Sequence, residues 1–340
     1  MAMVLYLLRR SLTMALTLLA ISALVFIVIK LPPGDYLTNQ IDELRSQGDA
    51  SAVAKAEFLR QQYGLDRPVW EQYLAWVGVW PGPNGMSGLL QGDWGWSFEF
   101  QRPVNEVVGS ALGLTILVNI ATVIFIHFVA IPIAIYSATR QYSIGDYAAT
   151  LVGYLGLATP NFLLALILLF YLNRWFGVSI GGMMDPQYAN APMSMAKAQS
   201  IAAHLVVPVI VIGLSGTAAM IRRMRANLLD ELQKQYTVTA RAKGMKPLPA
   251  LLKYPFRMAL NPFVADIGNL LPHLVSGSVL VSLVLSLPTV GPVLLQALKQ
   301  QDQYLAGFIL MFVAVLTVLG MLVSDLLLAV LDPRIRFGKR

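Results

Sequence analysis

The string Thr239-Ala-Arg-Ala-Lys-Gly-Met245 sets two cations among small residues and closes on a glycine. The chemistry this composition suits is recognition, not bond-making. Ala240, Arg241, Ala242 and Lys243 read as one compact helix with small residues on part of its surface. Gly244 stands where a C′ residue with positive φ would turn the chain sharply. Pro247 can then occupy the first turn of a second helix, ending near Asn261-Pro262. Upstream, Arg225–Gln235 has good helix formers and apolar positions at Leu228, Leu229 and Leu232. A helix–glycine–helix elbow with a small-residue knob and a basic rim fits docking into a partner's groove. On charge alone, the same segment reads as an ordinary loop at the inner face of a membrane.

Residues that could make or break bonds are scarce. The three histidines, His127, His204 and His273, have no metal-ligand spacing. No serine nucleophile motif sits at a strand–helix turn. A phosphate-cradling loop needs Gly-x-x-x-x-Gly-Lys-Ser/Thr, and the only Gly-Lys pair is Gly338-Lys339, followed directly by Arg340. The chain holds no cysteine, which removes disulfides, thiol nucleophiles and thiolate-ligated metals. What remains is a set of polar residues inside apolar runs. Asp266, Asn269, His273 and Ser276 fall within roughly a 100° arc of an ideal helix, though Pro272 would blur the alignment. Asn119 and His127 share a face of another apolar run. Both sets read either as the lining of a solute path or as hydrogen bonds between packed helices. Asp325 reads as a structural residue near the inner end of the last run.

The elements that must position these residues are apolar helices. At 340 residues, 56% hydrophobic and 13% charged, the chain is far too apolar for a water-soluble domain of this length. Six stretches exceed the roughly 18–20 residues that cross a bilayer as a helix: Ser11–Ile29, Val107–Thr139, Tyr147–Asn173, Ala198–Ile221, Ile267–Leu298 and Gln303–Ser324. The first is expected to be a retained signal-anchor helix, because it is long, lacks a cleavage site and runs into Lys30-Leu-Pro-Pro-Gly-Asp35. The net charge of +7 is unevenly spread, which argues against a nucleic-acid partner. Nine of the 25 basic residues lie between Arg222 and Arg257, opposed only by Asp230 and Glu231. From Lys30 to Glu106 there are six basic and ten acidic residues. With Arg9 and Arg10 before the first run and Arg334, Arg336, Lys339 and Arg340 after the last, both termini and the 222–262 loop are expected on the cytoplasmic side. The expected organisation is an all-α, polytopic protein: an N-terminal membrane helix (1–30), an extracytoplasmic segment (31–106) and a five-helix core (107–340). The external segment carries Trp70, Trp76, Trp80, Trp94 and Trp96, expected as an interfacial belt, a packed cap over the outer mouth, or both.

The order of residue types in these segments closely resembles the permeases of ABC importers, in the branch that handles oligopeptides, nickel and some oligosaccharides. Thr239-Ala-Arg-Ala-Lys-Gly244 matches every position of that branch's coupling string, and Arg257-Met-Ala-Leu-Asn-Pro262 keeps the Arg, Ala, Leu and Pro of a second string downstream. Leu31-Pro-Pro-Gly-Asp35, Gly64-Leu-Asp-Arg-Pro68, Gly92-Asp-Trp-Gly-Trp-Ser-Phe98, Ala158-Thr-Pro-Asn-Phe162 and Leu331-Asp-Pro-Arg-Ile-Arg336 resemble it elsewhere. The fifth run departs, with Ser282 and Leu285-Ser-Leu-Pro-Thr289 where the branch often has Glu and then Phe-x-x-Pro-Gly. The resemblance implies the type I importer permease fold in a bacterial inner membrane. It implies a second permease of similar fold, two cytoplasmic ATPase subunits carrying ATP and Mg, and an external solute-binding protein. Thr239 to Met245 would be the ATPase-coupling residues, and this chain would bind no cofactor. The alternative is an ion-coupled transporter or channel without an ATPase, which repeated halves and several intramembrane charges would favour. The halves look unlike and such charges are nearly absent.

Overall fold

The computed structural model describes residues 2–46, 50–83, 85–177 and 180–331. The C-terminal string after Leu331 and the basic residues Arg334, Arg336, Lys339 and Arg340 lie outside them. In chain order the helices are α1 (Ala2–Lys30), α2 (Tyr36–Ser46), α3 (Ala50–Gln62), α4 (Val69–Val77), α5 (Val104–Thr139), α6 (Ile144–Ala158), α7 (Asn161–Phe176), α8 (Met195–Leu232), α9 (Gln235–Ala242), α10 (Pro247–Lys253), α11 (Pro255–Ala259), α12 (Asn261–Gly277), α13 (Val279–Val284), α14 (Val290–Lys299) and α15 (Gln303–Leu331). A hairpin, β1 (Trp96–Ser97) and β2 (Arg102–Pro103), pairs Trp96 with Pro103 and Ser97 with Arg102.

Among the described residues, four helices are long and apolar enough to span a bilayer, within α1, α5, α8 and α15, or five if α6 and α7 count as one bent span. The polytopic helical class holds, but two of the six expected spans are not single rods. The third bends by 99° between α6 and α7. Its hinge is Thr159, extended at φ −86° and ψ 121°, because the ring of Pro160 excludes its preceding residue from the α region. The fifth is broken into α12, α13 and α14, with Ser286 at φ 53° and Pro288 in the gap. One expected boundary also moves. α8 does not stop near Ile221 but runs 38 residues to Leu232, roughly 57 Å at the α-helical rise. The Arg225–Gln235 stretch is therefore mostly the end of a membrane helix, and it reaches beyond any hydrocarbon layer of roughly 30 Å.

The chain forms two compact units. One comprises residues 1–113 with 289–318. Its centre is Leu37, Leu65 and Phe98, with Tyr36, Tyr63, Trp96 and Tyr304 packed against them. Asp35 begins α2, accepting from the Thr38 backbone N–H at 2.7 Å and its hydroxyl at 2.8 Å. Asp302, fully buried, caps α15 and accepts from Ser97 Oγ at 2.6 Å, the Glu99 N–H at 3.1 Å and the Leu305 N–H at 3.3 Å. Burial pushes its carboxyl up from the ordinary range, and these donors only partly offset that. Trp94 stacks on Phe308 at 4.0 Å between centroids, and Trp76 is buried against Gly307. Trp76, Trp94 and Trp96 thus pack inside a folded unit, whereas Trp70, Trp80 and Trp175 are exposed.

The other unit comprises 114–288 with the chain from 319 onward. Its core runs along α8, where Val211, Ile212, Met220, Met224 and Leu228 are buried. Close approach dictates one glycine there. A Cβ on Gly213 would lie 2.7 Å from the Phe125 ring. α6, α7 and α11 also pack on α8, and Arg223 sits over the Phe263 ring at 5.3 Å.

Candidate docking elbow

The Gln233-Lys234 turn ends α8 and starts α9. Lys234 supplies the extended residue from which α9 begins. Thr237, 1% exposed, donates its hydroxyl to the Glu231 carbonyl at 3.0 Å, and Tyr236 donates to the Glu231 carboxylate. Those bonds tie the short helix back onto the last turn of α8. Its other end closes as the local sequence anticipates. The Gly244 N–H donates to the Arg241 carbonyl at 2.9 Å and the Met245 N–H to the Ala240 carbonyl at 3.3 Å. This is the paired bonding of a Schellman cap, and Gly244 takes the φ of +81° it requires. Pro247 then opens α10 at a position where a missing N–H costs nothing. The expected second helix does not run unbroken to Asn261, since it splits into α10 and α11 around Tyr254-Pro255.

Every residue of the predicted coupling string falls on this elbow. Ala240 is buried and anchors it. Thr239, Arg241, Ala242, Lys243 and Gly244 are exposed, and Met245 is half-buried. Thr239 turns its hydroxyl onto the Gln235 carbonyl at 2.8 Å. Lys234 and Lys246 flank the string and are exposed too. The outcome is a convex, cationic knob at the end of a long helix, with its apolar underside spent on packing against α8 and α10.

The intramembrane polar residues are brought together only in part. Asn119 is buried on α5, and among the described residues its amide nitrogen has no hydrogen-bond partner. His127, two turns on, is half-buried, places Nδ1 2.8 Å from the Val123 carbonyl, and lines an apolar hollow with Phe128, Pro132 and Ile267. Ser276 is exposed on α12. Asp266, Asn269 and His273 share that helix backbone, but their side chains lie outside the described residues.

Two polar clusters escaped the sequence reading. Asp146, at the start of α6, holds Arg225 of α8 through two bonds, Nε to Oδ1 at 2.9 Å and Nη2 to Oδ2 at 2.8 Å. The same carboxylate accepts from Ser137 of α5 and from the Tyr142 N–H at 2.9 Å. Near the start of α8, Ser200 donates to Asp185 at 2.6 Å and accepts from the Asp185 N–H at 2.9 Å, with His204 Nε2 3.8 Å from that carboxylate. A local signal existed only for the first, in the Ser143-x-x-Asp146 capping pattern.

Two family comparisons agree with this architecture. Residues 130–337 match the binding-protein-dependent transport system inner membrane component family, and residues 3–116 match the N-terminal part of such components. The oligopeptide transport system permease protein AppB of Bacillus subtilis is 34% identical over 98% of this chain and 99% of its own length. A putative peptide permease protein of Brucella ovis is 30% identical over 97% and 98%, respectively. The dipeptide transport system permease protein DppB of Escherichia coli K12 is 28% identical over 98% and 99%. With a family match over most of its length, its several apolar helices and full-length likeness to permease subunits, the chain belongs to the binding-protein-dependent transport system inner membrane components, as a multi-pass ABC importer permease.

Proposed function

We propose that this permease is half of the translocation path of an ATP-driven peptide importer. A second permease of similar fold completes the path, and an external solute-binding protein delivers to it. Two cytoplasmic ATPase subunits, which carry ATP and Mg, grip the knob formed by Thr239–Met245. Both termini are cytoplasmic, residues 31–106 face the outside, and the 222–262 loop faces the ATPases. Peptides are preferred over oligosaccharides as the solute because the relatives are named as peptide permeases.

The observation that carries the reading is the elbow. Four exposed cations, Lys234, Arg241, Lys243 and Lys246, surround a capped short helix hydrogen-bonded to the end of a membrane helix. A partner that seats α9 in one state and shifts it in another biases the helix equilibrium only through such differential contacts. Because the chain has no cysteine, Lys243→Cys gives a single thiol. In oriented vesicles, an impermeant maleimide should label it from the cytoplasmic side, and co-assembled ATPase subunits should protect it. Labelling from outside, or solute accumulation by vesicles holding this chain without any ATPase, would overturn the proposal.

A further inference from the structure

α9 alone cannot move a path, so its displacement needs a route to the other helices. One polar connection in the second unit has the geometry for that. Arg225 lies two turns before the end of α8, close to the elbow. Its guanidinium meets both oxygens of Asp146, whose side chain is 3% exposed. The carboxylate also accepts from Ser137 on the last turns of α5 and from the Tyr142 amide in the α5–α6 turn. Ser143 caps α6 by accepting from the Asp146 N–H at 3.2 Å. Tyr142 itself is held at φ 63°, an unusual conformation for a residue with a side chain. One anion thus collects donors from α8, from α5 and from the turn that starts α6. A planar two-pronged contact of this kind fixes orientation as well as distance, so the three helix ends are constrained to shift together.

We propose that Asp146 and Arg225 are positioning residues for transport: they form the latch that transmits displacement of α9, through the end of α8, to α5 and α6. This rests on the reading of α9 as the ATPase-docking element. Neither residue needs to touch solute or nucleotide.

The test uses the whole transporter, with its ATPase subunits, in lipid nanodiscs. Two reporters are made separately: Gln141→Cys in the α5–α6 turn and Gln235→Cys on α9, both at exposed positions outside the coupling string. The readout is the rate of thiol labelling with and without ATP. Each reporter is combined with Asp146→Asn, with Arg225→Lys, which keeps charge but loses the fork, and with the exchanged pair Asp146→Arg/Arg225→Asp. The unsubstituted background should show an ATP response at both thiols. The single variants should keep the response at Gln235→Cys and reduce that at Gln141→Cys by about fivefold or more, the lower end of ordinary coupling effects. The exchanged pair should restore part of it. Arg225→Lys covers the case in which Asp146→Asn fails to assemble. An equal ATP response at Gln141→Cys in all backgrounds, or none in any, overturns the latch and leaves the docking reading standing. No response at Gln235→Cys in the unsubstituted transporter overturns the docking reading itself.

Discussion

Gly244 offers a perturbation whose magnitude can be worked from backbone geometry alone. A Cβ added there would meet no atom within 4 Å, so crowding contributes nothing, but its φ of +81° is one that L side chains rarely adopt. An ordinary residue is destabilised in left-handed conformation by about 1–2 kcal/mol, and a β-branched one by more, since positive φ is a genuine outlier for it. If the chain relaxes instead, the cap bonds from Gly244 and Met245 to α9 are lost, each with a net value of about 0.5–1.5 kcal/mol. Either route disfavours the capped elbow by about 1–3 kcal/mol, which is on the order of 5- to 150-fold in its population. Gly244→Val should therefore uncouple the transporter strongly, Gly244→Ala less so, and Gly244→Asn least, because Asn tolerates the left-handed region. The assay is trialanine accumulated per ATP hydrolysed in proteoliposomes holding the complete transporter, with membrane insertion checked in parallel. Unchanged coupling in Gly244→Val would refute the reasoning. So would an Asn variant as impaired as the Val variant, since that outcome would implicate side-chain presence and not backbone conformation.

Two further outcomes follow from packing and from a buried charge. Gly213→Leu forces a side chain into the space of the Phe125 ring, which lies 2.7 Å from where its Cβ would stand; overpacking of this kind is destabilising by about 1–3 kcal/mol. Thermal unfolding in detergent should shift downward, and no shift would mean that α5 and α8 are less closely apposed. Asp302 predicts a pH effect. Burial raises its carboxyl above the ordinary value, so the folded state favours the protonated form. Its stabilising contribution is full below the unfolded value of about 4 and is lost as pH rises towards the raised folded value. Across that window the stability of the unsubstituted chain should fall relative to Asp302→Asn, and parallel stability–pH curves would contradict the assignment.

What the sequence made legible was mostly local. The positive φ of Gly244 and the Pro247 helix start depend on neighbours a few residues away, and both were readable from residue type. So were the apolar helices. Interruptions were harder. Pro160 and Pro272 both lie in apolar runs, yet the first accompanies a 99° bend and the second lies within a continuous helix. A proline can start one helix or kink another, and packing decides which. Long-range partners were illegible. Asp146 and Arg225 are 79 residues apart, and Arg225 looked like one more cation in a basic loop. Asn119 and His127 share a helical face by spacing, yet one is enclosed and the other borders a hollow, which depends on elements far away in sequence.

The bond from Ser97 to Asp302 joins residues 205 apart, and Tyr304 closes onto Tyr63 and Phe98 from the same late position. During synthesis, residues 31–106 therefore emerge long before the pieces that complete the interior of their unit. Loop closure over such a distance is slow, and an unfinished apolar interior is an invitation to aggregate or to recruit a chaperone. A ribosome stalled anywhere before α15 would leave the nascent chain with the interior of this unit unfinished.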